Sequence, residues 1–296
     1  MIDYSKFVKN SRKWLSQYIR DNHLQSVCLG ISGGIDSTIS ACLAKPVCDA
    51  LNIPLIGRSL PTTSNKIDET TTAFKVGDAF CSDFKEVPIE NSFNSIFYDL
   101  VLNEGRITPL QEGNIKARLR MIYLRNLASI HKGVVLDNDN FTEWNLGFWT
   151  VGGDSPMDIN LGLHYLWKTE IYELAKFLYD EYKINKCVEQ AKAIYESVKL
   201  TPTDGNGVSS SDCEQFGLDN YSQVDDVLKT MYYTEYTRKD ENPNDTWLGE
   251  HKHNDEYIRL IDSYNEQGVD KVIILHQNTE YKRIPAPIKP TKDELF

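Results

Sequence analysis

Apolar residues recur at helical spacing over 4–20, where Phe7, Trp14, Leu15, Tyr18 and Ile19 share one face. The period then changes. Ser26 to Ile31 is a short continuous apolar run, which predicts a buried strand, and 36–50 returns to a helical pattern. A second strand is predicted over 53–60, closed by Pro61 and a Thr/Ser-rich loop. A helix over 68–80, a short strand over 84–89, a helix over 91–103, a long helix over 112–132 and a clear strand over 133–139 follow. Strands alternating with helices of ten or more residues mark β-α-β units. The expected class is therefore α/β, with a doubly wound, mostly parallel sheet. Helical patterns continue over 164–182, 186–198 and 220–278, the last broken by a polar insert near 235–255. A Gly/Ser/Asp-rich loop over 203–214 predicts mobility. With no internal repeat and no clean linker, residues 1–296 read as one domain with helical C-terminal additions and a closing tail near 279–296.

Composition narrows the partners. The net charge of −11 excludes broad binding to nucleic-acid phosphates, which needs clustered Lys and Arg. No apolar run is long enough to span a membrane, and the amphipathic N-terminus lacks a signal-peptide core. The "KDEL" near the end is followed by Phe296 and reads as chance. Six cysteines show no C-x-x-C pairing, so free thiols and a cytoplasmic location are expected, and the sequons at Asn140 and Asn244 carry no meaning. The "HKH" at 251–253 reads as a solvated face, and Phe141, Trp144, Phe148 and Trp149 as core aromatics.

The chemistry concentrates in "LGISGGIDS", residues 29–37. A buried strand ending in Ser-Gly-Gly and feeding a helix points several backbone N–H groups at one spot. The helix N-terminus adds partial positive charge, and glycine lets the backbone come close to a ligand. That is an anion site, with phosphate as its usual occupant. The loop is neither a Walker A motif nor a G-x-G-x-x-G turn. Asp36 distinguishes it, because a carboxylate beside phosphates repels them unless a divalent cation lies between. Mg²⁺ bound through oxygen is thereby implied, while Ser32 and Ser37 can donate to phosphate oxygens. The plainer reading is a strand-to-helix turn with Asp36 as a helix cap.

The stretch resembles the S-G-G-x-D-S pyrophosphate loop of the N-type ATP pyrophosphatases. These cleave ATP between the α and β phosphates and activate a carboxylate or carbonyl oxygen as an adenylate. Three further stretches are similar to the ammonia-dependent NAD synthetases. "EGNIKARLRM" (112–121) resembles a G-N-x-x-A-R-x-R-M run, implying that Asn114 and Arg118, one helical turn apart, hold deamido-NAD. "VVLDNDNFTEWNLGFWTVGGDSPMDIN" (134–160) implies Glu143 as second Mg²⁺ ligand beside Asp36, and Asp158 as a substrate contact. Lys168, Pro202-Thr203 and "TEYKRIPAP" (279–287) match, in order, an ATP-binding lysine, a threonine near ATP and a closing Lys282-Arg283 pair.

The resemblance covers roughly residues 26 to 287. It implies a Rossmann-like, adenine nucleotide alpha hydrolase-like fold and a homodimer. It implies catalytic roles for Ser32, Asp36 and Ser37, and ATP contacts from Gly30, Ile31, Ser32, Gly33, Gly34, Ile35, Asp36, Ser37, Arg58, Asn138, Lys168 and Thr203. Segments 203–214 and 279–290 would close over ATP. The implied reaction is ATP-dependent amidation of deamido-NAD (nicotinic acid adenine dinucleotide) by ammonia, giving NAD, AMP and pyrophosphate. No glutaminase domain fits in the length.

Several positions depart from the family pattern. Asn138 stands for its threonine and Val151 for its lysine. Ser155-Pro156 replaces Gly-Gly, Arg58 is shifted relative to the following Leu-Pro, and one extra residue separates Asp158 from Lys168. A pyrophosphatase acting on another carboxylate or carbonyl, or a nucleotide-binding regulatory relative with weakened catalysis, are the alternatives.

Overall fold

The computed structural model describes residues 2–203, 205–236, 254–283 and 289–296, without the side chains of 233–236 and 280. Helix α1 (Tyr4–Asp21) precedes β1 (Ser26–Gly30), α2 (Ile35–Leu51), β2 (Leu55–Ser59), α3 (Ile67–Phe80) and β3 (Asp83–Glu86). Helices α4 (Glu90–Glu104) and α5 (Pro109–Ile130) lead to β4 (Gly133–Asp137), the short α6 (Phe141–Leu146) and β5 (Ile159–Asn160). The rest is helical: α7 (Lys168–Ile184), α8 (Val188–Lys199), α9 (Asp212–Phe216), α10 (Tyr221–Tyr236), α11 (Asp255–Ser263), α12 (Glu266–Asn278) and α13 (Lys292–Leu295). The polar insert lies mostly outside the described residues, as do "HKH" and 284–288 of the tail.

The five strands form one parallel sheet in the order β3-β2-β1-β4-β5. Strand alternation divides the core in two. Val27, Leu29, Leu55, Val134 and Leu136 pack with α1, α2, α3, α7 and α8 on one face. Cys28, Ile56 and Val135 pack with α4 and α5 on the other. A third apolar cluster joins α6, α9, α10, α11 and α12 beside the sheet, around Phe216, Met231 and Tyr257. Trp144 stacks on Trp149 with ring centres 5.1 Å apart, and both rings are buried, as core aromatics should be. All six cysteines are free thiols.

The predicted elements appear with shifted ends. Helix α5 starts at Pro109 because Thr108 caps it, its hydroxyl accepting from Gln111 N while the Gln111 side chain returns to Thr108 N. The expected helix over 164–182 starts at Lys168, after a 3₁₀ turn at Leu163–Tyr165. Strand β5 escapes the sequence pattern because it is only two residues long.

Leu29 is fully buried between the sheet and its helices, so Leu29→Ala should cost about 2–5 kcal/mol in chemical denaturation. Ile67 is 85% exposed, and Ile67→Ala should stay within about 0.5 kcal/mol. Equal losses at both positions would contradict this assignment of the core.

Candidate active site

Strand order reverses between β1 and β4, and at such a switch point a crevice opens beyond the carboxyl ends of the strands. The Ser-Gly-Gly loop leaves β1 into this crevice. Gly33 has φ +88°, and a Cβ there would lie 2.4 Å from the Glu69 carbonyl oxygen and 2.9 Å from Ala73 N. The loop is thus pressed against α3, and a side chain is excluded by both strain and space. Gly34 caps α2 with extended backbone and no side-chain cap bond, which leaves the first-turn N–H groups facing the crevice. The Ser37 and Thr38 hydroxyls donate to the Gly34 carbonyl at 3.1 and 2.9 Å, and the Ser32 and Ser37 hydroxyls lie 3.1 Å apart. A cavity of about 860 Å³ opens over this loop.

Two carboxylates from separate elements converge at its floor. Asp36 comes from the first turn of α2 and Glu143 from the first turn of α6. Between them sits the Lys168 ammonium, donating to Asp36 Oδ2 at 2.5 Å and to Glu143 Oε1 at 2.9 Å. Burial alone would favour a neutral lysine, but the two carboxylates outweigh it and hold Lys168 charged, well above its ordinary range. Burial, reinforced by Asp36, pushes the Glu143 carboxyl up to about 7 against the pull of Lys168. Asn140 ties the pair together. Its amide donates to Asp36 Oδ1 at 3.0 Å, and its oxygen accepts from Glu143 N at 3.0 Å as the α6 cap. A cation is therefore already seated between oxygen donors that face a cavity, a donor set suited to a hard divalent ion such as Mg²⁺.

A second acid group, Asp137, Asp139 and His164, offers ligand atoms within 4.8 Å of one another. Asp137 is fully buried and accepts from Ser155 Oγ, Met157 N, Asn160 Nδ2 and Asp139 N, with His164 Nε2 at 3.2 Å. Burial alone would raise its carboxyl, but these donors outweigh it and hold the group below the usual range. With its lone pairs so engaged, Asp137 acts as the clamp that folds 155–160 beneath the cavity.

Asp225 escaped the sequence reading altogether. It is 1% exposed, on α10. It accepts from Thr142 Oγ1 at 2.5 Å and from Thr169 N at 2.9 Å, while Thr142 Oγ1 accepts from Lys168 N at 2.8 Å. One carboxylate thereby grips the neighbours of both Glu143 and Lys168. Asn140, read above only as a sequon, could have been found from the N-x-x-E of a capping box, whereas Asp225 carries no local signal.

Among the expected contacts, Gly30, Ile31, Ser32, Gly34, Ile35, Asp36, Ser37, Asn138, Glu143, Lys168 and Thr203 all border the cavity, as do Asn114, Arg118 and Lys282. Gly33 supports the loop from behind. Three of the expected contacts are engaged by neighbouring groups. Arg58 touches the cavity wall, but its guanidinium turns away to Asp83, at 3.1 and 3.0 Å, and to the Gly57 carbonyl. Asp158 braces β4 to α5, accepting from Val135 N at 2.9 Å and pairing with Arg125 at 3.1 Å. Arg283 donates to the carbonyls of Asn145 and His276. Lys282 is held by the carbonyls of Gly147 and Trp149 at 2.6 and 2.5 Å.

The loop expected to be mobile is strapped to α3 and α5. Thr203 Oγ1 donates to Glu69 at 2.6 Å, Lys66 to the Ser210 carbonyl at 2.8 Å and Lys116 to the Asn206 carbonyl at 2.9 Å. At Val151, where the resembled family has lysine, the main-chain oxygen accepts from Arg118 Nε at 3.2 Å.

The NAD synthase family model matches residues 7–286. The NH(3)-dependent NAD(+) synthetase of Mycoplasma genitalium is 31% identical over 230 residues, covering 77% of this chain and 85% of the relative. That of Finegoldia magna is 30% identical over 228 residues, covering 77% and 85%. In fold, the chain is similar to the NMN synthetase from Francisella tularensis, with a TM-score of 0.71, 21% identity and coverage of 98% and 100%. It is also similar to the NH3-dependent NAD synthetase from Campylobacter jejuni, with a TM-score of 0.66, 19% identity and coverage of 97% and 99%.

Removing the Asp225 carboxylate orphans two buried donors. Asp225→Ala should lose about 1–3 kcal/mol for each in chemical denaturation, and Asp225→Asn distinctly less. An unchanged unfolding midpoint for Asp225→Ala would remove the clamp from this account.

Proposed function

The chain belongs to the NAD synthase family and carries out the ATP-dependent amidation of deamido-NAD; we propose that it does so in the cavity above the Ser-Gly-Gly loop, with ammonia as nitrogen donor and Asp36 and Glu143 as the Mg²⁺ ligands. The observation that carries this reading is the convergence of Asp36, Glu143 and Lys168 beside a helix N-terminus at the sheet's switch point.

The nicotinate carboxylate is a poor electrophile, so its oxygen first attacks the α-phosphorus of ATP. Pyrophosphate leaves, and ammonia displaces AMP from the adenylated carboxyl to form the amide. The loop's backbone N–H groups and the Ser32 and Ser37 hydroxyls bind the departing phosphates, which stabilises charge where it develops. Lys168 adds a cation to the same corner. When bound, Mg²⁺ supplies charge neutralisation between the phosphates. Asn114 and Arg118, on one face of α5, orient the acceptor at the far wall, and Thr203 closes the cavity from the strapped loop. Most of the rate comes from holding two ligands in register, since no enzyme nucleophile is needed.

Tyr98, Leu102, Leu110 and Ile122 on α4 and α5 are 61%, 82%, 60% and 57% exposed, an apolar surface that supports a homodimer built on these helices. No described helix is long and apolar enough to cross a membrane, and the free thiols support a cytoplasmic enzyme.

With deamido-NAD, ATP, Mg²⁺ and ammonium, AMP and NAD should appear together in equal amounts. ATP binding without turnover would favour the regulatory alternative, and turnover only with another carboxylate would move the acceptor. Asp36→Asn should lower pyrophosphate release by at least about a hundredfold with the circular dichroism unchanged. Full activity in that variant refutes the metal role. Light scattering should give twice the chain's 33.9 kDa, and the mass of a single chain would remove the dimer.

A further inference from the structure

We propose that Lys168 is an internal counter-ion which gives up its place to the divalent cation only when a triphosphate arrives to receive it, so that metal and nucleotide must bind together. The inference rests on Asp36 and Glu143 being the metal ligands. Lys168 is 3% exposed, and its ammonium lies within hydrogen-bond reach of one oxygen of each carboxylate. The other oxygens, Asp36 Oδ1 and Glu143 Oε2, accept from Asn140, so a metal held by both acids would draw on the ones that now face the ammonium. Ammonium and divalent ion therefore compete for one position, and the lysine must swing away for the metal to enter.

The geometry says what that movement requires. The backbone of Lys168 is fixed, since its N–H donates to Thr142 Oγ1 and the next N–H is held by Asp225. Only the side chain can pivot, and it borders the large cavity. Tyr172 and the face of Tyr221, 5.2 Å from the ammonium to the ring centre, are also near, with Asp212 accepting from the Tyr221 hydroxyl beyond; the rings cannot replace two hydrogen-bonded carboxylates. Metal alone would strip the buried ammonium of the two carboxylates that now hold it, an unfavourable exchange for a desolvated charge. A bound triphosphate removes that cost, because its oxygens accept the displaced ammonium while the metal takes the carboxylates. Without Lys168 the two acids would face each other uncompensated and would bind a divalent ion eagerly.

The test uses Mn²⁺ alone, followed by the electron paramagnetic resonance of the free ion, with no nucleotide present. At Mn²⁺ concentrations that saturate Lys168→Gln, the unaltered enzyme should show no site that Glu143→Gln removes. Lys168→Gln should bind Mn²⁺ at least about tenfold more tightly than the unaltered enzyme. Lys168→Arg, which keeps the charge, should behave like the unaltered enzyme. Mn²⁺ should also raise the melting temperature of Lys168→Gln and leave that of the unaltered enzyme unmoved. Equal Mn²⁺ affinity in Lys168→Gln and the unaltered enzyme overturns the exchange. If Lys168→Gln does not fold, a Glu143-dependent Mn²⁺ site in the unaltered enzyme without nucleotide overturns it equally. A different result identifies failure of the underlying assignment: Glu143→Gln would then leave binding of the Mn²⁺ complex of a non-hydrolysable ATP analogue unweakened.

Discussion

Two acids cannot share a dry corner without a positive charge between them, and the architecture follows from supplying that charge. Asp36, Glu143 and Lys168 stand 107 and 25 residues apart in sequence, as the differences 143 − 36 and 168 − 143 give, yet meet within hydrogen-bonding distance. A parallel sheet with its order reversing between β1 and β4 brings the ends of the first and fourth strands side by side. The acids reach the corner on helix first turns, where the helix dipole favours a carboxylate. The lysine begins a third helix and reaches back across the gap.

Around that corner the protein spends much of its buried polar chemistry on placement. Asn140 serves as helix cap and Asp36 partner at once. Asp225 fastens the start of α6 to the start of α7 from a helix outside the sheet. The C-terminal helices thus contribute rigidity to the Asp36–Glu143 corner of the cavity, while α5 and the loop at 147–158 line another part of its wall. Asp137 is the counterpart of Asp225 on the sheet side, a fully buried carboxylate whose donors hold that loop in its folded course.

Local physics decided what could be read beforehand. The βα units were legible because buried parallel strands are apolar runs and their covering helices keep a 3.6-residue period. The phosphate loop was legible because Gly-Gly between a strand and a helix, followed by an acid, has few other uses. Thr203, Asn114 and Arg118 came from family likeness, and they do border the cavity. Three expected contacts engage neighbours for a common reason. Arg58, Asp158 and Arg283 carry charges that could serve either a ligand or a neighbour, and only tertiary packing selects the neighbour: Asp83, Arg125 and two carbonyl groups. The strap at 203–214 has the composition of a flexible loop. Its attachments come from Lys66, Lys116 and Glu69, all distant in sequence. Asp225 lies on a helix whose pattern fits an ordinary amphipathic one, so nothing nearby advertised its partners.

The contact between Arg118 and the main-chain oxygen of Val151 has an evolutionary corollary. A peptide carbonyl is the same whatever residue bears it. The guanidinium therefore keeps its aim while the side chain at 151, 44% exposed on the rim, drifts freely. Side chains at 151 can therefore vary without disturbing the hold on Arg118.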